Sequence, residues 1–324
     1  ALARDLPEDS PARTEAALNL GWIEYDAGRA DRAEPLLREA LARQRHALGE
    51  QHPVVADALA ILASAELRLG RCDESKRLLR AALAIDAAVY SHPHPHTAWH
   101  LNDLANTFAL AGRLDEAAAT YARSIAMDEA LAPASALNEA VSIGNLARLH
   151  HSQGNDASAE AGLRDAIARK RALLGSDYAD NGRSRDLSSL GEILIARRNF
   201  SEAQRIIDEA LNDARDRHPS AHPDIGFASM ASAELLAATN APADAASRAS
   251  EAVSIFDALA DTTSENAIRS HLVLGEILLG LHRNDEAQAQ FSIALASAQV
   301  GSPRSILLAR ARNDLMRIVR AHRA

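Results

Sequence analysis

One structural unit recurs along this chain at a nearly constant interval. A turn residue is followed by a small residue five places later and by another twelve places later, and the pattern occurs seven times in 324 residues. The turn residues lie 42, 42, 42, 44, 42 and 42 residues apart: Gly28, Gly70, Gly112, Gly154, Arg198, Asn240 and His282. Such a unit cannot bury its apolar face alone, so stacked neighbours must supply the core. The interval therefore predicts a solenoid.

Each unit has the pattern of two amphipathic helices. Leucine stands eight residues before the turn in six units, with Ser232 in the remaining one, and a small residue always follows it. Small residues also recur after the turn at the spacing of one helix face, where two helix axes must approach closely. Only 3% of the residues are aromatic although 47% are hydrophobic, which suits closely packed helices better than strands. The predicted fold class is all-α.

Residues at the expected helix ends agree with this pattern. Glycine at the turn suits a left-handed helix end, so Arg198 or Asn199 must adopt that conformation in the fifth unit. Proline recurs seventeen residues before the turn, where it can open the first helix, at Pro11, Pro53, Pro95 and Pro223. Three places after the turn, we expect the following residues to cap the second helix: Asp31, Asp73, Asp115, Ser201 and Asp285.

Charge and composition restrict the possible functions. The chain has 35 basic and 44 acidic residues, a formal charge of −9, which argues against general nucleic-acid affinity because that requires a basic stripe. The segment from Gly301 onward carries six arginines and one aspartate. We interpret it as a solvated closing helix, with binding to an acidic partner or a lipid surface as the alternative.

The single cysteine and the absence of long apolar runs bear on the compartment. Cys72 alone excludes an internal disulfide framework and fits a reducing environment; we expect it in a turn with some exposure. The sequence shows neither a run of membrane-spanning length nor a signal peptide. The predicted location is cytoplasmic.

The segment from Leu101 to Ser124 resembles a tetratricopeptide repeat. The family's order of leucine, small, aromatic, glycine, alanine, aromatic and small residue is met by Leu104, Ala105, Phe108, Gly112, Ala117, Tyr121 and Ser124. The 42-residue length and the His-Pro steps, with the linker Leu48-Gly49-Glu-Gln-His52-Pro53, resemble the kinesin-light-chain type. The resemblance implies an α-solenoid, a right-handed superhelix of about seven helix pairs. The expected repeats are residues 11–52, 53–94, 95–136, 137–178, 179–222, 223–264 and 265–303, with a capping helix over 304–322.

The resemblance also implies a concave groove lined by the first helices. Family members carry asparagines there that hydrogen-bond the backbone of an extended peptide, and aromatic and arginine side chains often dominate such binding. The candidate partner-binding residues are Asn19, Trp22, Trp99, Asn102, Asp103, Asn106, Asn145, Arg148, Arg185, Ser189 and Glu192. The asparagine pair is lost in repeats two, six and seven, so we predict recognition in repeats three to five. Two alternatives stay open: the tryptophans pack between helices, or the asparagines bond the next helix.

The sequence contains no phosphate-binding loop, nucleophile elbow or zinc-protease motif. The cluster of His92, His94 and His96, with His100 one turn further, could present two imidazoles to one metal. Because the His-Pro steps belong to the linker of the resembled family, we favour a structural role. We predict neither a metal nor a cofactor.

We therefore predict a non-catalytic scaffold that binds a protein or peptide partner, with no nucleic acid and no membrane span. The alternative is a regulatory or sensor region of a larger bacterial signalling enzyme, such as a serine/threonine kinase or a nucleotide-binding ATPase. The chain begins with alanine and Pro11 fits the proline register, so we expect residues 1–10 to end an earlier unit and allow for a covalently linked upstream domain. An alanine- and arginine-rich composition suggests a bacterial source.

Overall fold

The computed structural model describes residues 11–180, 182–218, 221–259 and 265–301, together with residues 312, 313 and 315. The described residues form fourteen α-helices and one 3₁₀ helix, without a strand among them. They belong to two compact units, here called unit 1 and unit 2, divided between Glu139 and Ala140. The all-α fold class, built from successive helix pairs, is confirmed.

In unit 1, each helix packs against the next one along the chain. Its helices are α1 (Pro11–Asp26), α2 (Ala30–Leu48), α3 (Pro53–Arg68), α4 (Cys72–Val89), α5 (Pro95–Leu110) and α6 (Leu114–Ala130). The division between the units falls within α7 (Ala136–Ser152).

In unit 2, the first helices of successive pairs also contact each other, α9 against α11 and α11 against α13. Its helices are α8 (Asp156–Leu174), α9 (Arg183–Ala196), α10 (Phe200–Arg217), α11 (Pro223–Ala238), α12 (Pro242–Ala258), α13 (Glu265–Gly280) and α14 (Asn284–Gly301). A 3₁₀ helix (Gly175–Asp180) accommodates the two residues that lengthen one interval to 44.

The two helices of a pair meet where a small residue, seven places before the turn, lies against a large one nine places after it. A Cβ on Gly191 would lie 2.4 Å from Ile207 Cγ1. The same crowding occurs between Gly275 and Phe291, at 2.5 Å. Glycine is needed there because the large side chain of the second helix already fills the space that a methyl group would take.

The turn between paired helices is left-handed whether or not glycine occupies it. Gly28, Gly70, Gly112 and Gly154 have φ between 72° and 79°. In the last three repeats, Arg198, Asn240 and His282 adopt the same conformation, with φ of 61°, 65° and 60°. The prediction for Arg198 is confirmed. A side chain in this region costs roughly 1–2 kcal/mol, so the surrounding helix pair must hold these three turns in place.

Proline opens the first helix of several pairs, as predicted, and the histidine before it supplies the cap. Nδ1 of His52 accepts a hydrogen bond from the backbone N–H of Val54 at 3.2 Å. His94 and His222 do the same for the N–H two residues later. The proline at the first helical position has no N–H to satisfy, so the His-Pro step completes the helix start.

The prediction of N-caps three residues after the turn is wrong. The second helices begin one residue earlier than that, at Ala30, Cys72 and Leu114, for example. The cap position is the residue directly after the turn, and it makes no side-chain cap bond in α2, α4, α6 or α10. The acids therefore lie in the first helical turn, where the helix dipole favours negative charge.

Three further expectations concern the ends of elements. Cys72 begins α4 and is buried, so the expected exposure is wrong. Residues 1–10 and most of the predicted capping helix over 304–322 lie outside the described residues, although Leu315 packs against the core of unit 2. Among the described helices, none combines the length and the apolar character that crossing a membrane requires.

The Gly191–Ile207 contact gives a prediction about packing. Gly191→Ala should lower the stability of unit 2 by about 1 kcal/mol, because overpacking costs about 1–3 kcal/mol and the better helix propensity of alanine returns only about 1 kcal/mol. The double variant Gly191→Ala/Ile207→Leu recreates the pair that Ala147 and Leu163 form at this register. Thermal unfolding should show recovery in the double variant; equal loss in both variants would contradict the contact.

A second prediction concerns Asp128, which is fully buried at the end of α6. Burial raises the pKa of its carboxyl group to about 6, and the charge of Glu139 acts in the same direction. The ionised form is therefore unfavourable in the folded state above pH 6. Asp128→Asn should raise the unfolding temperature at pH 8 and leave it nearly unchanged at pH 4. Exposed Asp115→Asn is the matched control and should have no such pH dependence.

Candidate partner-binding faces of the first helices

In unit 1, the residues predicted to bind a partner lie on α1 and α5, and they differ in accessibility. We call them, with their contacting neighbours Tyr25, Asp57, Ser64 and Arg68, the unit 1 face. Asn19 is exposed and Trp22 is 48% exposed. Trp99, Asp103 and Asn106 are half-buried, whereas Asn102 is buried. The most accessible predicted residues of this face therefore lie on α1.

An aromatic and cationic cluster occupies the α1 end of the unit 1 face. The rings of Trp22 and Tyr25 stack with centroids 5.4 Å apart. Arg68, from α3, places its guanidinium 4.0 Å from the Tyr25 ring centroid and donates to the Tyr25 carbonyl oxygen at 3.0 Å. Arg68 thus fixes the ring against which Trp22 stacks. About half of the Trp22 surface remains open.

A buried histidine between carboxylates lies beneath the other tryptophan. The ring of Trp99 lies 5.3 Å from that of His100. His100 is fully buried; its Nδ1 lies 2.8 Å from Asp86 Oδ2 and its Nε2 lies 3.5 Å from Asp57 Oδ1. Burial alone would lower the pKa of this imidazole, but the two carboxylates outweigh burial and raise the pKa to about 9. A charged His100 therefore links α3, α4 and α5.

The polar pair predicted on α5 is Asn102 with Asp103, and both side chains engage neighbouring groups. Asn102 Nδ2 donates to Asp103 Oδ1 at 3.3 Å, and the Ser64 hydroxyl donates to Asp103 Oδ2 at 3.2 Å. Burial raises the pKa of Asp103 to about 6, although His100 and these hydrogen bonds oppose that shift. Asn106 accepts a hydrogen bond from the Tyr121 hydroxyl at 2.5 Å. Bonding to neighbouring helices thus occupies part of this polar set.

In unit 2, two predicted residues meet in one ionic network. The Arg148 guanidinium donates to Asn145 Oδ1 at 2.6 Å and to Asp186 Oδ1 at 3.2 Å. Lys170 Nζ and the Tyr178 hydroxyl donate to Asp186 Oδ2 at 2.7 and 2.9 Å. Burial would raise the pKa of Asp186, but Lys170 and Arg148 outweigh burial and lower that pKa. The network orients Asn145 and Arg148 from beneath.

The remaining predicted residues of unit 2 lie along α9 and contact the later first helices. Arg185 is exposed and its guanidinium lies 5.4 Å from the Phe227 ring centroid. Glu192 pairs with Arg269, whose Nη2 lies 3.3 Å from both carboxylate oxygens. The Glu192 charge raises the pKa of Arg269 above its ordinary value, against the effect of burial. Ser189 is half-buried.

The sequence interpretation did not single out Arg68, Asp186, Phe227 or Arg269. Two of the four stand thirteen residues before their turns, as the predicted Trp99 and Arg185 do: Phe227 and Arg269. Reading every repeat at that position finds these two, whereas Arg68, two residues before its turn, has no counterpart among the predicted residues. Asp186 is different because it lies one place off that set, and only the packing of α8 and α9 brings Lys170 to it.

The predicted structural role of the histidine cluster fits the geometry. His94 caps α5 and stacks on Tyr90 at 3.6 Å, while His96 Nδ1 lies 2.7 Å from Asp57. Among the described residues, the group close enough to hold a metal ion is His218, His222 and Asp224. The His218 and His222 rings are stacked at 3.5 Å and nearly parallel. A metal ion must lie close to the plane of each imidazole ring that binds it. Two rings stacked face to face therefore cannot both bind one ion in this arrangement.

The chain matches a tetratricopeptide repeat family model at residues 13–86 and 54–130, and a second such model at residues 140–179. Among curated proteins, none matches the sequence.

Several solved structures are similar to this chain. The Rap protein complexed with competence and sporulation factor has a TM-score of 0.72 at 13% identity, covering 89% of this chain and 75% of its own. BtubC (BKLC) from P. vanneervenii has a TM-score of 0.50 at 25% identity, covering 68% and 89%. Kinesin light chain repeats from Podosopora anserina have a TM-score of 0.47 at 22% identity, covering 65% and 98%. The Rap likeness shows the fold alone.

The His100 cluster gives a prediction about pH. Because the folded-state pKa is about 9 and the unfolded value is about 6.5, the stabilisation is complete below pH 6.5 and is lost as the pH rises to 9 and beyond. The loss should amount to about 3 kcal/mol. Denaturant unfolding from pH 6 to 10 measures it, and His100→Gln should remove this dependence. An NMR titration that places the imidazole pKa near 6.5 would contradict the assignment.

Proposed function

Because this chain is built from tetratricopeptide repeats, we propose that it is a non-catalytic module that binds an extended segment of a partner protein along its first helices. The observation that carries the proposal is the Trp22 cluster. An open tryptophan, stacked on a tyrosine that an arginine holds in place, is the kind of group that dominates binding energy at protein interfaces.

The charges of the second helices support the same conclusion by contrast. Their arginines pair with acids, along one helix as in Arg43 with Glu39, or between successive second helices as in Arg164 with Glu202. Such exposed pairs satisfy each other and contribute little stability. On the first helices, aromatic and arginine side chains contact one another across separate helices instead. Partner recognition is therefore assigned to the first helices.

Unit 2 offers a second place for the partner segment, around Asn145 and Arg185. The network beneath Asn145 and Arg148 holds both side chains with few accessible rotamers, which lowers the entropic cost of binding. Arg185 presents its guanidinium beside an aromatic ring. An extended segment needs backbone partners and side-chain contacts, and this pair of sites supplies both types of group.

A test of the proposal starts with dodecapeptides selected from a random phage library on the immobilised protein. Trp22→Ala and Asn145→Ala should each weaken a selected peptide at least tenfold, measured by fluorescence anisotropy, because each removes a side chain that the proposal places against the bound segment. Arg77→Ala, on an exposed face of α4, is the control and should bind as the parent does.

Two results would contradict the proposal. One is a failure to select any peptide above background with a protein whose circular dichroism is fully helical. The other is peptide binding that neither Trp22→Ala nor Asn145→Ala changes.

The alternative function, a regulatory region attached to a signalling enzyme, is favoured by one observation. The positions eight and five residues before the turn are buried in α3 and α13, as Leu62 and Ile277 show. In α1 the same positions, Leu20 and Ile23, are 46% and 58% exposed. A further packed element on α1 would cover them. Assaying the product of the complete reading frame for kinase activity and ATP hydrolysis tests this alternative; inactivity in both assays would count against it.

A further inference from the structure

Three glutamates occupy one register on consecutive first helices of unit 2. Glu192, Glu234 and Glu276 each stand six residues before their turn, on α9, α11 and α13. In the four earlier repeats, the same position carries Trp22, Ser64, Asn106 and Arg148. Because α9 packs on α11 and α11 packs on α13, the three carboxylates form an acidic row across unit 2.

The protein itself places a guanidinium on the first part of this row. Arg269, from α13, contacts both carboxylate oxygens of Glu192 at 3.3 Å. The charges of Glu192 and Glu234 both raise its pKa. A cation therefore already sits beside Glu192, and the contact shows that this row can receive a guanidinium.

The next part of the row contains a cavity. It has a volume of about 430 Å³ and lies between Glu234 and Glu276, within the range of about 300–1,000 Å³ that is typical of ligand sites. Val273, Ile277 and Ala237 supply apolar walls. Gly280 borders it, and a Cβ at that position would meet no atom within 4 Å. Of the residues that line the cavity, the two charged ones are both acidic.

We propose that this cavity binds the side chain of an arginine in the partner segment. The apolar walls suit the aliphatic stem of a long cationic side chain, and Glu234 and Glu276 suit its charged head. The inference rests on the proposed function in that the arginine belongs to a bound segment. It adds a recognition element in repeats six and seven, where the asparagine pair is missing.

The test uses a small probe, so that it does not depend on peptide binding elsewhere. N-acetyl-arginine methylamide is titrated into the protein labelled at valine and isoleucine methyl groups, and N-acetyl-citrulline methylamide serves as the neutral isostere. The arginine probe should shift the Val273 and Ile277 methyl signals saturably at millimolar concentration. The citrulline probe should bind at least tenfold more weakly because it lacks the charge.

Two variants test the location. Gly280→Leu should place a branched side chain between Glu234 and Glu276 and abolish the shifts, since its backbone is not in the left-handed region and the space is open. Ala196→Leu adds the same side chain at the equivalent position of α9, outside the cavity, and should bind normally. Glu276→Gln should weaken the arginine probe at least fivefold and leave the citrulline probe unchanged, which keeps the test valid if Gly280→Leu does not fold.

Equal binding of the two probes, or shifts that persist in both cavity variants, would overturn the inference. In that case selected peptides could still depend on Trp22 and Asn145, and the proposed function would stand. Conversely, arginine binding in the cavity without any selected peptide would refute the proposed function alone.

Discussion

The close contact between the two helices of each pair is the interaction on which the rest of the structure depends. A small residue on the first helix lies against a large one on the second, as Gly191 does against Ile207. This spacing lets the pair share a dense apolar interface despite a chain with very few aromatic residues. The same packing leaves one face of each first helix pointing away from the second helix of its pair. The faces that carry Trp22 and Arg185 are consequences of that arrangement.

Buried charge plays a second role because it holds side chains of the proposed binding faces in place. Asp186 receives Arg148, Lys170 and Tyr178, and His100 joins Asp57 to Asp86. Burying such groups is costly unless each one is paired, and here Asp186 and His100 each lie beside two groups of opposite charge. Both clusters lie directly under residues of the proposed binding faces. The stability of the folded unit and the orientation of its binding side chains are therefore linked.

The repeat register accounts for most of what could be predicted. Helix pairs, left-handed turns and proline helix starts follow from local geometry, so a short sequence pattern is enough to identify them. The register fails at the start of the second helices, which begin two residues after the turn, so that the predicted cap position already lies inside the helix. The candidate binding residues remain predictions. The structure adds that Asn19 and Trp22 are accessible, while Asn102 is buried against Asp103.

The sequence by itself determined the all-α repeat of helix pairs, the left-handed turn at Arg198 and the proline starts of several first helices. These features depend on residues a few places apart, whose geometry the helix fixes. Only the tertiary structure decided which side chains meet across helices. Glu192 pairs with Arg269, 77 residues later, and Arg68 reaches Tyr25 from another pair. Such contacts depend on how successive helices stack, and the cavity between Glu234 and Glu276 exists for the same reason: stacking brings two distant glutamates to neighbouring helices and leaves space between them.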